Sequence, residues 1–424
     1  MKIFLLAAGL LSLSLVTAPS ICAQSPVLEK GDRIAIVGDS ITEQKLYSKF
    51  IETYLLACTP QWDLQVFQFG WGGERAPGFA ARQENDLAFW KPDVITTCFG
   101  MNDGSYQSYK PEIGERYETG MRAILDRFKK DGVAFVVGGP GVVDSATFAK
   151  DKPEFDIVYN ENLKQLDAIA KKLADENGFV HAEVFDTMMT VMTKAKSEMG
   201  ELHPVAGRDG VHPGANGHLA MAFAFLKALG VSGEIANISL DMKTGKATVS
   251  DGHQVLEKAA DSVTIESSRY PFCFYGGEND ANGTVSVNRF LPFNDELNRF
   301  MFSVKNVSSA KAEVQWGEAK KTFTREELKA GINLAAEFMD GPFQQPFAET
   351  MKAVAVKQGF ETSMIKDQIS KFRMYQAYLP DDPEVVAATK VLTKKLQEKD
   401  DELFQAANAS VRPVTHTITV RAVE

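Results

Sequence analysis

The sequence predicts an α/β fold built on a parallel sheet with helices on both faces, followed by a second α+β module. From residue 33 to about residue 230, short apolar, β-branched runs alternate with segments of helical periodicity. These runs are continuously apolar, which is typical of strands buried on both faces of a parallel sheet. After about residue 232 the residue pattern changes, and it predicts short strands in which apolar and polar residues alternate.

Each element of the first region follows from its own pattern. The predicted strands cover residues 33–37, 64–69, 93–99, 133–138 and 179–184. The first helix is predicted from apolar residues that recur at helical spacing, and further helices are predicted over 111–130, 159–177 and 215–229. Ligands of such sheets bind at the carboxyl ends of the strands, so the segments that follow the strands are where functional residues are expected.

The second module is predicted to span residues 233–424. The segment "IANISLDMKTGKATVS" indicates two strands around a Thr-Gly turn, and "SVTIESS" and "RFMFSVKNV" indicate further strands. Thr324 and Glu327 form a capping-box pattern that opens a long helical stretch, which ends at about residue 407. "THTITVRAV" then closes the chain as a strand. We expect a small β-sheet with a long helical insertion.

The first 23 residues are typical of a secretory signal peptide. Lys2 precedes a nearly continuous apolar run, and "ICA" before Gln24 is an acceptable cleavage site. The first domain is therefore predicted to span residues 24–232, in a periplasmic or extracellular protein. The apolar run is short for a membrane span and no stop-transfer pattern follows, so no stable membrane insertion is expected. Cys22 raises the alternative of a lipoprotein anchor, against which Ile21 argues.

Composition and cysteine spacing argue against nucleic-acid binding, a disulfide framework and a metal site. The chain has 424 residues and a net charge of −10, and it lacks the basic face that nucleic-acid binding requires. The cysteines of the mature chain are Cys58, Cys98 and Cys273. They are odd in number, far apart and without metal-binding spacing, so we expect inert thiols and neither a disulfide framework nor a metal site.

Ser40 lies where the first predicted strand ends and a helix begins, in "IAIVGDSITEQ". A serine there is either a helix cap or a nucleophile held at the edge of the sheet. Three other stretches lie at strand exits or helix entrances: "QFGWGGER" with Gly73, "CFGMNDGSY" with Asn102, and "GRDGVHPGANGH" with Asp209 and His212. Each alone also fits a turn, a cap or a surface loop.

Together these residues meet the requirements of a serine hydrolase. A serine hydroxyl needs a base, for which histidine has a suitable pKa, and the histidine needs a carboxylate to fix its tautomer. Asp209 and His212 can meet this need within one short loop. The oxyanion needs preorganised donors, which the N–H groups of Ser40 and Gly73 and the side chain of Asn102 can supply.

The four stretches resemble the sequence blocks of the SGNH, or GDSL, hydrolase family over about residues 32–230. The resemblance implies a three-layer α/β/α flavodoxin-like domain with serine esterase chemistry and no metal or cofactor. It makes Ser40, Asp209 and His212 the catalytic residues, and Ser40, Gly73 and Asn102 the oxyanion hole. Gln68 stands where the second block of the family usually has asparagine.

The sequence thus predicts an exported esterase that removes an acetyl or other short acyl group from a carbohydrate, with a small-molecule or polysaccharide ester as its substrate. Two alternatives stay open: a lipase or lysophospholipase, and a non-catalytic carbohydrate-binding or adhesion protein. Trp71 is either a substrate platform or a packed loop residue. The segment "YGGENDANG" (275–283) is either an ordinary hairpin loop or a loop that reaches over the site. Neither the role of the second module nor the oligomeric state is predicted.

Asp39 and three histidines are expected to have structural roles. Asp39 is expected to hydrogen-bond the loop backbone beside Ser40. His218 falls at the start of a helix with many apolar residues, and His203 and His181 are expected to be structural as well. None of them is needed for the chemistry described above.

Overall fold

The structure, a computed structural model, describes residues 27–144, 146–149 and 155–423. The predicted signal peptide and Cys22 lie outside the described residues. Among the described residues the strands are β1 (Arg33–Gly38), β2 (Gln65–Gly70), β3 (Val94–Cys98), β4 (Ala134–Gly138), β5 (Val180–Ala182), β6 (Glu234–Asp241), β7 (Lys246–Val249), β8 (His253–Lys258), β9 (Ser262–Ser267), β10 (Arg299–Lys305), β11 (Lys311–Trp316), β12 (Ala319–Thr324), β13 (Ile332–Asn333) and β14 (Val414–Val423).

The helices of the same described ranges are α1 (Ser40–Glu43), α2 (Tyr47–Ala57), α3 (Ala76–Asp86), α4 (Pro111–Lys129), α5 (Phe155–Asn177), α6 (Val184–Met199), α7 (Ala215–Ala228), α8 (Val285–Asn288), α9 (Phe293–Glu296), α10 (Arg325–Ala330), α11 (Leu334–Glu337), α12 (Gln344–Ser363), α13 (Phe372–Tyr378) and α14 (Pro383–Ala409). In the described part of the chain, none of these helices has the length and apolar character needed to cross a bilayer.

The N-terminal domain is built on a parallel sheet with the strand order β2-β1-β3-β4-β5. Along β1, Ile34 and Ile36 pack into one core, with residues of α2, α6 and α7, and Ala35 and Val37 pack into the other, with residues of α3 and α4. The prediction of a parallel sheet covered on both faces is confirmed. The sequence pattern predicted α4, α5 and α7 but not α3 or α6.

The C-terminal module contains two sheets, so the prediction of a single small sheet was wrong. Their strand orders are β13-β10-β6-β7 and β12-β11-β14-β9-β8. The two sheets meet through a shared aromatic core in which the rings of Phe300 (β10) and Trp316 (β11) stack at 5.5 Å. The error arises because the sequence pattern did not reveal β8 or the hairpin β11–β12. The capping box of Thr324 and Glu327 and the last strand β14 were predicted and are present.

The helical insertion of this module packs against the N-terminal domain. Helix α12 lies along β2, which is an edge strand of the parallel sheet and would otherwise expose unpaired backbone groups. Lys357 donates to the carbonyl of Val66 at 2.5 Å, and Glu361 accepts from the N–H of Gln68 at 3.1 Å. Two charged side chains of the insertion therefore provide hydrogen-bond partners for two backbone groups of the edge strand.

These side chains belong to a buried charge cluster, formed by Glu52, Lys357, Glu361 and Asp400. All are buried. Lys357 forms ion pairs with Glu361 and, at 3.0 Å, with Glu52. Burial raises the pKa of Asp400 to about 6. The cluster joins α2, α12 and α14 around one buried cation, and so links the insertion to the domain it covers.

Cys58, Cys98 and Cys273 carry free thiols, and all three are buried. Burial raises the pKa of each thiol, which keeps it protonated and unreactive at neutral pH.

Candidate active site

Ser40 lies at the turn between β1 and α1, and its hydroxyl is not the helix cap. The cap is Asp39, whose Oδ1 accepts the N–H of Ile41 at 2.9 Å. The turn is tight, since a Cβ added to Gly38 would lie 2.0 Å from the hydroxyl of Thr42. Asp39 therefore has the structural role expected of it, and the hydroxyl of Ser40 is available for another partner.

That partner is His212. Ser40 Oγ lies 2.8 Å from His212 Nε2, and His212 Nδ1 lies 2.7 Å from Asp209 Oδ2. With a carboxylate at Nδ1, that nitrogen carries the proton, and Nε2 presents its lone pair to the serine hydroxyl. The structure thus brings the three predicted catalytic residues into one hydrogen-bonded chain.

Asp209 also fixes the loop on which His212 lies. Its Oδ1 accepts the backbone N–H groups of Val211 at 3.0 Å and His212 at 2.9 Å. Partial burial acts to raise the pKa of Asp209, but these hydrogen bonds and the one from the His212 ring outweigh burial and hold the pKa below its usual value. The carboxylate therefore stays ionised and orients the imidazole.

Two backbone N–H groups of the predicted oxyanion hole are unused. Among the described residues, neither the N–H of Ser40 nor that of Gly73 has an acceptor. The adjacent N–H of Gly72 is bound by a carboxylate oxygen of Glu43, so of these two glycines only Gly73 offers a free donor. Gly73 has φ +73°, a left-handed conformation that favours glycine.

Asn102 supplies the third predicted donor. Its Nδ2 donates to the carbonyl of Glu74 at 3.0 Å, which leaves the second amide hydrogen available. The hydroxyl of Tyr106 donates to Asn102 Oδ1 at 3.1 Å and fixes the orientation of the amide. The side chain thus binds the loop that carries Gly73 and keeps a second N–H free for the oxyanion.

Asp103 connects the loop after β2, which carries Gly73, to the loop after β3, which carries Asn102. It is buried and accepts the N–H of Ala76 at 3.0 Å and that of Gly100 at 3.1 Å. Burial raises its pKa to about 6, although these two hydrogen bonds oppose the shift. Because the bonds join the loop after β2 to the loop after β3, the donors on both loops are held in a fixed relation.

Sequence reasoning missed a contact from the C-terminal module to this site. Lys366, in the helical turn after α12, pairs with Glu43 at 2.5 Å, and Glu43 in turn binds the N–H of Gly72. Lys366 and Arg82 both lie over the ring of Trp71, at 5.3 and 4.4 Å from its centroid. Trp71 is therefore a packed loop residue. No sequence signal could have indicated this contact, because Lys366 lies 323 residues from Glu43.

The other histidines of the domain are structural, as expected. His218 is buried, with Nδ1 3.2 Å from the N–H of Tyr47 and Nε2 3.1 Å from Gln44 Oε1. Burial lowers its pKa to about 3, so it is neutral. His181 contacts Asp167 at 3.1 Å, and His203 contacts Asn216 at 3.4 Å. In the described part of the chain, no cluster of His, Cys, Asp or Glu has the arrangement of a metal site.

A cavity of about 480 Å³ opens beside His212, and we call it the His212 cavity. Tyr275, Ala281 and Asn282 of the C-terminal module line it together with His212 and Asp209. The segment 275–283 is therefore a loop at the site and not an ordinary hairpin loop.

Comparisons with known proteins show what the chain is similar to. Residues 36–220 match the GDSL-like lipase/acylhydrolase family. An acetylxylan esterase from Geobacillus stearothermophilus is 25% identical over 220 residues, which cover 47% of this chain and 94% of the relative. The structure of a gut microbial diltiazem-metabolizing enzyme has a TM-score of 0.73 and 22% identity, covering 93% of this chain and 98% of that one. Its fold is thus shared across both parts of the molecule.

Proposed function

We propose that this carboxylic ester hydrolase is an exported serine esterase that removes an acetyl or other short acyl group from a carbohydrate. The observation that carries the proposal is the hydrogen-bonded chain from Ser40 Oγ through His212 to Asp209, with contacts of 2.8 and 2.7 Å. The similarity to an acetylxylan esterase supports the acyl group and the class of substrate.

The reaction proceeds through an acyl-enzyme. His212 Nε2 takes the proton of Ser40 as Oγ attacks the ester carbonyl, and Asp209 stabilises the imidazolium that forms. The N–H groups of Ser40 and Gly73 and the free amide hydrogen of Asn102 stabilise the oxyanion. His212 then gives the proton to the departing alcohol. Water hydrolyses the acyl-enzyme by the same steps, with His212 again as the base.

Export is part of the proposal. Residues 1–23 have the pattern of a cleavable signal, so the mature protein is expected to begin at Gln24 in the periplasm or outside the cell. Fractionation of expressing cells followed by sequencing of the N-terminus of the isolated protein tests this. A chain that retains Met1 in the cytoplasm would contradict export.

The catalytic proposal is tested with Ser40→Ala. We expect kcat for nitrophenyl acetate to fall by about 10⁴ or more, since removal of a covalent nucleophile has effects of this size. A fluorophosphonate should label the wild type at Ser40 and should not label the variant. Ser308→Ala, an exposed serine of the C-terminal module, is the control and should be labelled and active like the wild type.

The acyl group is tested on nitrophenyl acetate, butyrate and octanoate, with acetylated xylo-oligosaccharides as carbohydrate substrates. A short-chain esterase has its highest kcat/KM with acetate. A preference for octanoate would instead make the protein a lipase. Labelling of a serine other than Ser40 would overturn the assignment of the nucleophile.

A further inference from the structure

The His212 cavity has walls from both parts of the molecule. One wall comes from the loop that carries Asp209 and His212, and a second wall comes from Tyr275, Ala281 and Asn282. The two walls touch, because a Cβ added to Gly214 would lie 2.6 Å from the carbonyl of Ala281. The C-terminal module therefore encloses space next to the proposed base.

The wall from the C-terminal module is built as a closed loop. Thr284 and Tyr275 pair at its base, with the N–H of Thr284 donating to the carbonyl of Tyr275 at 2.7 Å. At the tip, Asp280 accepts the N–H of Asn282 at 2.9 Å. The ring of Tyr275 packs against Phe50 of the N-terminal domain at 6.3 Å. These contacts fix the position of the loop that places Asn282 in the lining of the cavity.

Three residues that line the cavity carry side-chain polar groups without a partner. Among the described residues, the hydroxyl of Tyr275, the amide of Asn282 and the guanidinium of Arg208 have no hydrogen-bond or ion-pair partner, and all three residues line the cavity. Gln44 also lines it, but its amide is bound to Pro213 and His218. A cavity with a few free polar groups and one aromatic side chain has the character of a small-molecule site, and its volume lies within the roughly 300–1,000 Å³ usual for such sites.

The position of the cavity determines which half of an ester it can hold. His212 Nε2 takes the proton of Ser40 and must deliver it to the oxygen of the departing alcohol, so the alcohol leaves on the histidine side. None of the three proposed oxyanion donors, on Ser40, Gly73 and Asn102, belongs to a residue that lines this cavity. The cavity therefore adjoins the proton donor and not the oxyanion hole.

We propose that the His212 cavity binds the alcohol part of the ester, that this alcohol is a sugar ring, and that the C-terminal module selects it through Asn282. This inference rests on the proposed function. The amide of Asn282 both donates and accepts, as pairing with sugar hydroxyls requires, and Arg208 adds donors for their oxygens. The ring of Tyr275 offers an apolar surface to the C–H face of the sugar.

Two substitutions at Asn282 test the proposal. Asn282→Ala removes the hydrogen bonds and should lower kcat/KM for acetylated xylo-oligosaccharides about tenfold through KM, the effect of one or two lost hydrogen bonds. Asn282→Trp fills the cavity and should lower the same kcat/KM about a hundredfold. Glu278→Ala, in the same loop but outside the lining, is the matched control and should resemble the wild type.

Nitrophenyl acetate and nitrophenyl octanoate identify the half of the ester that the cavity holds. The ratio of their kcat/KM values should stay the same in Asn282→Trp, because their acyl groups lie elsewhere. A shift of this ratio would overturn the proposal, since it would place the acyl chain in the cavity. Unchanged kcat/KM for the sugar esters in both variants would also overturn it. A wild type that cleaves nitrophenyl acetate but no sugar ester refutes the sugar assignment alone, whereas a wild type without activity on any ester refutes the proposed function as well.

Discussion

Two groups of polar and charged residues lie at the parallel sheet: the residues around Ser40 and the buried charge cluster around Lys357. Both join charged groups to backbone N–H or carbonyl groups at the parallel sheet. The first lies at the carboxyl ends of the strands, and its Asp209 and His212 side chains are 56% and 38% exposed. The second lies along the edge strand β2, and its Lys357, Glu52 and Glu361 side chains are at most 1% exposed.

The difference lies in what each arrangement leaves unused. The residues around Ser40 keep free donors at Ser40, Gly73 and Asn102, which a substrate can occupy. In the charge cluster, Lys357 donates to the carbonyl of Val66 and forms ion pairs with two carboxylates, so no function beyond stability is available to it. Substitutions in the two regions should therefore affect different measurements, rate in the first and free energy of unfolding in the second.

The largest expected effect is that of His212→Ala on rate. Loss of the proposed base should lower kcat by about 10⁴–10⁶ with little change in melting temperature. His218→Leu provides the comparison, since it removes a buried histidine six positions along the chain. It should lower the free energy of unfolding by about 1–3 kcal/mol, because the N–H of Tyr47 loses its acceptor, and kcat should stay within tenfold. If the two variants lose similar activity, the distinction between the histidines is wrong.

Lys357→Met should have the converse effect. It leaves three buried carboxyl groups without their cation and should lower the free energy of unfolding by about 3–5 kcal/mol. Measured well below the melting temperature, kcat should stay within about threefold of the wild type. Lys394→Met, at an exposed lysine 3.9 Å from Glu398, is the control and should change stability by less than about 0.5 kcal/mol. Urea denaturation of both variants supplies the comparison, and equal losses would show that the cluster does not stabilise the protein.

Asn102→Ala tests whether a free donor in the first region acts in the transition state. We expect kcat to fall by about 10²–10³ with little change in KM, the usual effect of removing one oxyanion donor. Tyr106→Phe removes only the hydrogen bond that orients the amide and should lower kcat by less than tenfold. Steady-state kinetics on nitrophenyl acetate separate the two constants. A rise in KM alone for Asn102→Ala would instead show binding of the ground state.

Asp39→Asn concerns the pH dependence of stability. Burial raises the pKa of Asp39 to about 7, so the folded state binds this proton more tightly than the unfolded state, where the pKa is 3.8. The contribution is fully present below about pH 4 and is lost as the pH rises through about 7. Since asparagine keeps an acceptor for the N–H of Ile41, the variant should lose only this dependence, a slope of up to about 1.4 kcal/mol per pH unit.

Urea denaturation of the wild type and Asp39→Asn between pH 4.5 and 7.5 measures this difference. The exposed Asp340→Asn serves as the control and should run parallel to the wild type. Parallel curves for wild type and Asp39→Asn would show that Asp39 does not bind a proton in this range.

The same comparison explains how much could be predicted from the sequence. Ser40, Asn102 and the Asp209–His212 loop each lie within a few residues of a strand exit or helix entrance, so local pattern and sheet topology together predicted that they share one edge. The charge cluster and the Lys366–Glu43 pair join segments about 300 residues apart, which no local pattern records. The sequence also failed to predict the second sheet of the C-terminal module, in part because the strands β8 and β12 carry mostly exposed or half-buried residues.

The position of β14 affects how the C-terminal module folds during synthesis. This last strand lies between β9 and β11, and Thr417 pairs with Thr264 from 153 residues earlier. Pairing at such separation is slow, since a long loop must close before any contact forms. Until the end of the chain emerges, β9 and β11 lack the strand between them. A chain truncated before residue 414 should therefore aggregate or be degraded, although every residue around Ser40 is already present.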